Sequence, residues 1–288
     1  MPKLASAVIP YRPRPAHVGV GKAAIATAQV LFWHARGRPS EAGLRILYYH
    51  RIAADKDQLA LDPRRFAREM ELIADSGQRV VDLYTFQLDD TSRIDENVVA
   101  LTFDDGYHDF LDAALPELER RRWPATVFIV PEAIDGGVRF PWYSRDDHPR
   151  LLSWDEIRRI ERGGLVRFEP HSLTHPFLPG ESDRVVWREI AGSKAAVEDA
   201  LGRPARLFCY PGGFYTDREA AMVERAGYVA AFGCEYGVNR PPWRRFQMRR
   251  TIADRYDSDL IFAGRLVGGT DRAPLGRSRR DQRHERIA

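Results

Sequence analysis

The 288-residue sequence predicts an α/β fold in which parallel strands and helices alternate around a barrel. Two observations carry that reading. Short apolar runs bounded by turn residues recur along the chain, and the stretches between them place apolar residues at helical spacing. The connections are short, and so many βα units fit a barrel better than a sandwich. Ligand chemistry then belongs at the C-terminal ends of the strands.

Taken in order, LRILYYH (44 to 50) reads as a buried strand. From Pro63 to Gly77 the residues Phe66, Met70, Leu72 and Ile73 recur near helical spacing and stop at a glycine, and RVVDLYTF (79 to 86) reads as a second strand. VVALTF (98 to 103) runs into DDGY, followed by a helical stretch that Pro116 breaks or starts and then by the strand ATVFIV. A helix WDEIRRIER after Ser153, a strand LVRFEP, a helix from Asp183 to Leu201, a strand ARLFCYP, a helix TDREAAMVERAG and a strand YVAAFGC complete the alternation.

The expected organisation is an N-terminal extension over residues 1–43, one catalytic domain over 44–265 and a basic tail over 266–288. The extension holds prolines and glycines around a single apolar stretch, Ala23 to Trp33. That stretch has the length of a signal h-region but starts late and lacks a convincing A-x-A site, so it reads first as an amphipathic surface helix. A cytoplasmic or membrane-peripheral location is favoured, with export through this atypical segment as the alternative. No run of 18 apolar residues is present, which excludes an ordinary transmembrane helix. The tail DRAPLGRSRRDQRHERIA mixes charges without aromatic residues and reads as a disordered, solvated segment rather than a nucleic-acid footprint.

A net charge of +3, from 44 basic and 41 acidic residues, gives no general push towards nucleic acid or membrane. The two cysteines, Cys209 and Cys234, are too few for a disulfide framework and lack C-x-x-C spacing. They read as free thiols, with a single bridge as the alternative. Oligomeric state leaves no mark in the sequence.

Chemistry concentrates in TFDDGY (102 to 107) and HSLTHP (171 to 176), both placed where strands should end. A carboxylate with two imidazoles is a common ligand set for catalytic zinc that leaves positions open for water and substrate. Adjacent acids on an extended chain point to different faces, so one could bind metal while its neighbour faces the reacting water. Asp-Asp-Gly before a helix is also ordinary cap chemistry, and a single histidine is more often structural, but the two segments together favour a metal site.

With both segments in view, the chain resembles the NodB-homology polysaccharide deacetylases, carbohydrate esterase family 4, whose motifs are TFDDG and H-S/T-x-x-H-P. The likeness continues through PATVFIV, SWDEI and EIAGSKAAVEDALG to FCYPGG, over roughly residues 44 to 255. It implies a distorted (β/α) barrel, a divalent metal on Asp105, His171 and His175, and Asp104 as general base. Zinc is the first expectation for that metal, with cobalt, nickel or iron as alternatives. The implied substrate is an acetylated amino-sugar glycan, whose acetamide the enzyme hydrolyses.

FCYPGG supplies an expected oxyanion donor, the backbone N–H of Gly212 with Gly213 as fallback, and Tyr210 and Trp142 are candidates for substrate contact. Two positions depart from the family pattern. Cys209 stands where many members have the arginine that orients the base, so Arg249 or Arg250 of QMRRT is expected to supply that cation. The late Leu-x-x-His is also missing. The branch resembling poly-N-acetylglucosamine deacetylases has an early Tyr-His instead, which YYHRI matches, making His50 the expected general acid. The same barrel acting on a small amide, cyclic imide or lipid-linked acetylated sugar is the nearest alternative, and a catalytically silent glycan-binding homologue is the next.

Overall fold

A computed structural model describes residues 28, 42–86, 96–144, 146–269 and 271. Most of the apolar stretch 23–33 and most of the tail beyond 265 therefore lie outside the described residues. The central sheet starts with β1 (Gly43–Tyr49), a fully buried strand that is mostly apolar, with Arg45 as its one charged residue, because both faces are covered. It lies between β5 (Asn97–Asp105) and β10 (Thr251–Ile252), parallel to both. On the other side of β5 come β4 (Arg79–Val80) near its start and β6 (Ala125–Ile129) near its end, followed by β7 (Val166–Pro170). All these pairings are parallel, as the helical crossovers require.

A second parallel pair, β8 (Leu207–Cys209) with β9 (Ala230–Phe232), completes the wall. Among the described residues the main-chain ladder is interrupted between β7 and β8. It thins to one isolated bridge, Phe232 to Met248, between β9 and the approach to β10. The expected barrel is thus present as an α/β barrel-like sheet that its backbone does not close.

A side chain spans the interrupted seam. Glu169 on β7 accepts the backbone N–H groups of Arg206 and Leu207 at 2.7 and 2.6 Å, and its other oxygen accepts Arg203 Nη1 at 2.6 Å. These bonds replace ladder bonds that the seam lacks. Burial pushes the carboxyl up to about 7 against the lowering pull of Arg203 and the two amides.

Helices α1 (Pro63–Asp75), α2 (Leu115–Arg121), α3 (Trp154–Arg162), α4 (Asp183–Leu201), α5 (Asp217–Arg225) and α6 (Asp259–Leu266) pack around the sheet. Reciprocal capping boxes start two of them: Ser153 with Glu156 on α3, and Thr216 with Glu219 on α5. Pro116 falls in the first turn of α2, immediately after a π-helical turn over Phe110–Ala114, and Arg122 ends the helix in the left-handed region.

One sequence expectation needs correction. RVVDLYTF forms only the two-residue strand β4, because Asp82 takes the N–H of Tyr84 on its carboxylate and that of Phe86 on its carbonyl, turning the chain. The packed chain also continues past 265. Asp271 forms a two-pronged ion pair with Arg45 of β1, whose Nε bonds the carbonyl of Leu266 at the end of α6.

Candidate active site

The motif residues meet at the strand C-terminal ends. Strand β5 delivers Asp104 and Asp105, the turn after β7 delivers His171 and His175, and the break between β1 and the short strand β2 (Arg51–Ile52) delivers His50. The pleat alone does not separate the two aspartates. Asp105 adopts φ 73° and Gly106 also φ 73°, so the chain turns sharply as the strand ends. A Cβ on Gly106 would come 2.9 Å from the Ile129 side chain, which is why glycine follows the aspartates.

The second motif is similarly contorted, with Ser172 at φ 59° and His175 at φ 64°. Such conformations cost of order 1–3 kcal/mol each and persist where the surroundings enforce them. Here Glu189 of α4 does so. Its buried carboxylate accepts the N–H groups of Leu173 and Thr174 at 3.0 and 2.8 Å and the Thr174 hydroxyl at 2.8 Å. The Ser172 hydroxyl accepts His175 N–H at 3.0 Å.

Three side chains converge on one oxygen. Asp105 Oδ1 lies 3.8 Å from His171 Nε2 and 3.6 Å from His175 Nε2, and it is buried with no hydrogen-bond partner. An ion bound tetrahedrally at 2.0–2.2 Å separates its ligands by about 3.4 Å, so the trio is spaced to receive one. His171 Nδ1 contacts the Cys209 carbonyl at 2.9 Å, an arrangement that leaves Nε2 as the free lone pair. Burial holds His171 down at about 4 and His175 well below its ordinary value, while burial and the charge of Asp104 push Asp105 well up. A divalent cation would invert that last preference by stabilising the carboxylate. The donor set therefore fits such an ion.

A different trio, Asp104, His171 and Cys209, also gathers donor atoms within 4.8 Å of one another. It is a poor ligand set, since Arg250 occupies both Asp104 oxygens and burial keeps the Cys209 thiol protonated.

Asp104 lies beside the trio, its carboxylate near His171. Arg250 Nη1 and Nη2 donate to its two oxygens at 2.7 and 2.8 Å, and both side chains are almost wholly buried. Burial alone would raise Asp104, but the guanidinium outweighs it and holds the carboxylate at about 2. Arg250 is itself fixed by the Gly233 carbonyl, the Thr102 hydroxyl and the face of Tyr48. The other arginine is corrected: Arg249 is half exposed, lies 3.8 Å from Glu235 and contributes nothing to Asp104. Cys209 Sγ stands 3.9 Å from each Asp104 oxygen, too neutral to replace a cation. Cys209 and Cys234 are both free thiols.

Around FCYPGG two expectations fail geometrically. Tyr210 is fully buried, its hydroxyl donating to the Phe246 carbonyl and its ring stacked on Tyr215, so it cannot meet a polymer. Gly213 spends its N–H on the Tyr210 carbonyl at 2.8 Å. Its lost side chain instead admits Cys234, which a Cβ would approach to 2.5 Å. Gly212 remains the donor candidate, at φ 61° in the turn.

Trp142 lies beside the trio, its ring 5.0 Å from His175 and stacked on Phe140 at 4.8 Å. The sequence reading did not single out Glu189, because its role shows only through the histidine loop that folds against it.

A carboxylate with two imidazoles stands at the open end of a parallel α/β sheet, beside a second and ionised carboxylate, and that donor set suits a divalent cation. Residues 91–231, just under half of the chain, match the model of the polysaccharide deacetylase family. It is 25% identical over 199 residues to YxkH of Bacillus subtilis, a protein provisionally named as a polysaccharide deacetylase, covering 68% of this chain and 66% of that one. In structure it resembles IcaB from Ammonifex degensii, with a TM-score of 0.69 and 24% identity over 79% of this chain and 98% of that one. A polysaccharide deacetylase from Bacillus cereus superposes with a TM-score of 0.66 and 21% identity over 78% of this chain and 69% of that one. Those two likenesses establish the fold.

Proposed function

We propose that the chain is a metal-dependent de-N-acetylase that hydrolyses acetamide groups on an acetylated amino-sugar glycan. The observation that carries the reading is the convergence of His171 and His175 on the orphaned Asp105 oxygen, next to an Asp104 kept ionised by Arg250. Asp105, His171 and His175 would hold the divalent ion, zinc by first expectation. That ion, when bound, supplies Lewis acidity that brings the attacking water towards neutral pKa.

Asp104 takes the proton of the attacking water. The pairing with Arg250 keeps it ionised, and so able to accept a proton, throughout the neutral range. Gly212 N–H receives the developing oxyanion, a type of contact worth about 3–4 kcal/mol of barrier. His50 feels the charge of Asp104, makes no hydrogen bond through its ring among the described residues, and protonates the departing amine. Burial lowers its affinity for that proton, which favours release to the amine. Trp142 offers a flat apolar face to the sugar ring.

Acetate release from N-acetylglucosamine oligomers, measured beside bound metal in the wild type and Asp104→Asn, tests the proposal. Metal with acetate release, and metal without it in the variant, support it. Metal binding without acetate from any oligomer, but with turnover of small amides or cyclic imides, would transfer the mechanism to another substrate. No metal and no acetate would favour a silent glycan-binding protein.

A further inference from the structure

Arg51 directly follows His50, and all three of its donor positions are engaged. Nε donates to Asp109 at 2.8 Å, Nη1 to Asp57 at 2.9 Å, and Nη2 pairs with Asp55 at 2.8 Å. Its side chain is 11% exposed. Asp109 also accepts the N–H of Ile52 at 3.0 Å, which anchors the residues after His50 to the helix start that follows the aspartate motif. Asp57 is equally saturated: one oxygen accepts Leu59 N–H at 3.0 Å, and the other accepts both Arg51 and the Tyr143 hydroxyl, the latter at 2.5 Å. Hydrogen bonds from Tyr143, Leu59 and Arg51 outweigh burial and hold Asp57 below the usual carboxylate range.

On the other side of His50, Tyr49 is buried in the core with its hydroxyl on Glu69. The His50 ring itself has no hydrogen bond among the described residues, so its placement depends on these flanking anchors. Tyr143 belongs to the loop carrying Trp142, the aromatic neighbour of His175.

We propose that Asp57 is a positioning residue for His50: it clamps Arg51 from one side, is held by Tyr143 from the other, and so ties the cleft loop to the placement of the general acid. The inference rests on the de-N-acetylase reading. In that reaction water oxygen adds to the acetyl carbon, the C–N bond breaks, acetate forms, and the amine leaves with a proton from His50. Asp57 and Arg51 touch neither substrate nor metal; they act through His50.

A double-mutant cycle on acetate release tests this, combining Asp57→Asn with His50→Asn and recording bound metal and circular dichroism for each protein. General-acid catalysis contributes about 10²–10⁴-fold, so partial misplacement should cost kcat about tenfold when His50 is present. The same Asp57→Asn change should cost less than about twofold when His50 is already asparagine, with metal retained in all four proteins. An equal loss in both backgrounds, or loss of metal with Asp57→Asn alone, would overturn the proposal. If Asp57→Asn does not fold, Tyr143→Phe replaces it in the same cycle with the same criteria. A wild type that binds metal but releases no acetate would instead defeat the de-N-acetylase reading on which the inference stands.

Discussion

The guanidinium of Arg250 lies two-pronged against the carboxylate of Asp104, 2.7 and 2.8 Å from its oxygens, deep in the barrel interior where neither is exposed. The cation comes from the approach to β10, whereas the family pattern brings it from the position that Cys209 occupies here. Asp104 thus meets its positive charge from Arg250, with the neutral Cys209 thiol on the other strand beside it.

Removing that charge should be felt in pH dependence. In Arg250→Met the carboxylate loses the influence that offsets burial, so its affinity for protons rises and the acidic limb of the kcat profile moves to higher pH. The variant should also lose about 3–5 kcal/mol of stability, because a buried charge is left unpaired. Urea unfolding of Arg250→Met and of Arg250→Met with Asp104→Asn measures this, with the double variant the more stable. For the wild type, the contribution of the pair is present above about pH 4 and is lost as pH falls towards about 2, since Asp104 is depressed in the folded state. An Arg250→Met profile that keeps the wild-type acidic limb would remove Arg250 from its assigned part.

His171→Ala should lower bound divalent metal from near stoichiometric to a small fraction, measured by elemental analysis, with the fold retained by circular dichroism. His175→Ala should behave alike, because both Nε2 atoms face the same Asp105 oxygen. Full metal occupancy in either variant would move the ion elsewhere.

His50→Asn should reduce kcat by about 10²–10⁴-fold and leave metal binding near stoichiometric. Steady-state acetate release with parallel metal analysis reads both quantities, and undiminished turnover would exclude the general-acid role.

Glu169→Ala should destabilise the protein by about 1–3 kcal/mol in urea unfolding, because Arg206 N–H, Leu207 N–H and Arg203 lose a shared buried acceptor. The loss should shrink little in salt, unlike that of an exposed ion pair. Stability unchanged in the variant would mean that the seam between β7 and β8 is held by packing alone.

The sequence by itself determined the alternation of buried strands and amphipathic helices, because burial on both faces demands continuous apolar runs and burial on one side demands helical spacing. It also singled out Asp104, Asp105, His171 and His175, because two segments that each have ordinary structural uses together make up a carboxylate-and-imidazole ligand set after apolar strands. It failed at RVVDLYTF, where a local carboxylate bond from Asp82 overrides strand propensity. Choosing between Arg249 and Arg250 lay beyond it, because adjacent residues differ only in which way the folded chain turns them. The reach of Glu189 to the histidine loop, of Glu169 across the open seam and of Tyr143 to Asp57 was likewise decided by tertiary structure. These contacts join residues 15 to 86 positions apart, and nothing in local propensity encodes which distant partner a buried polar group will find.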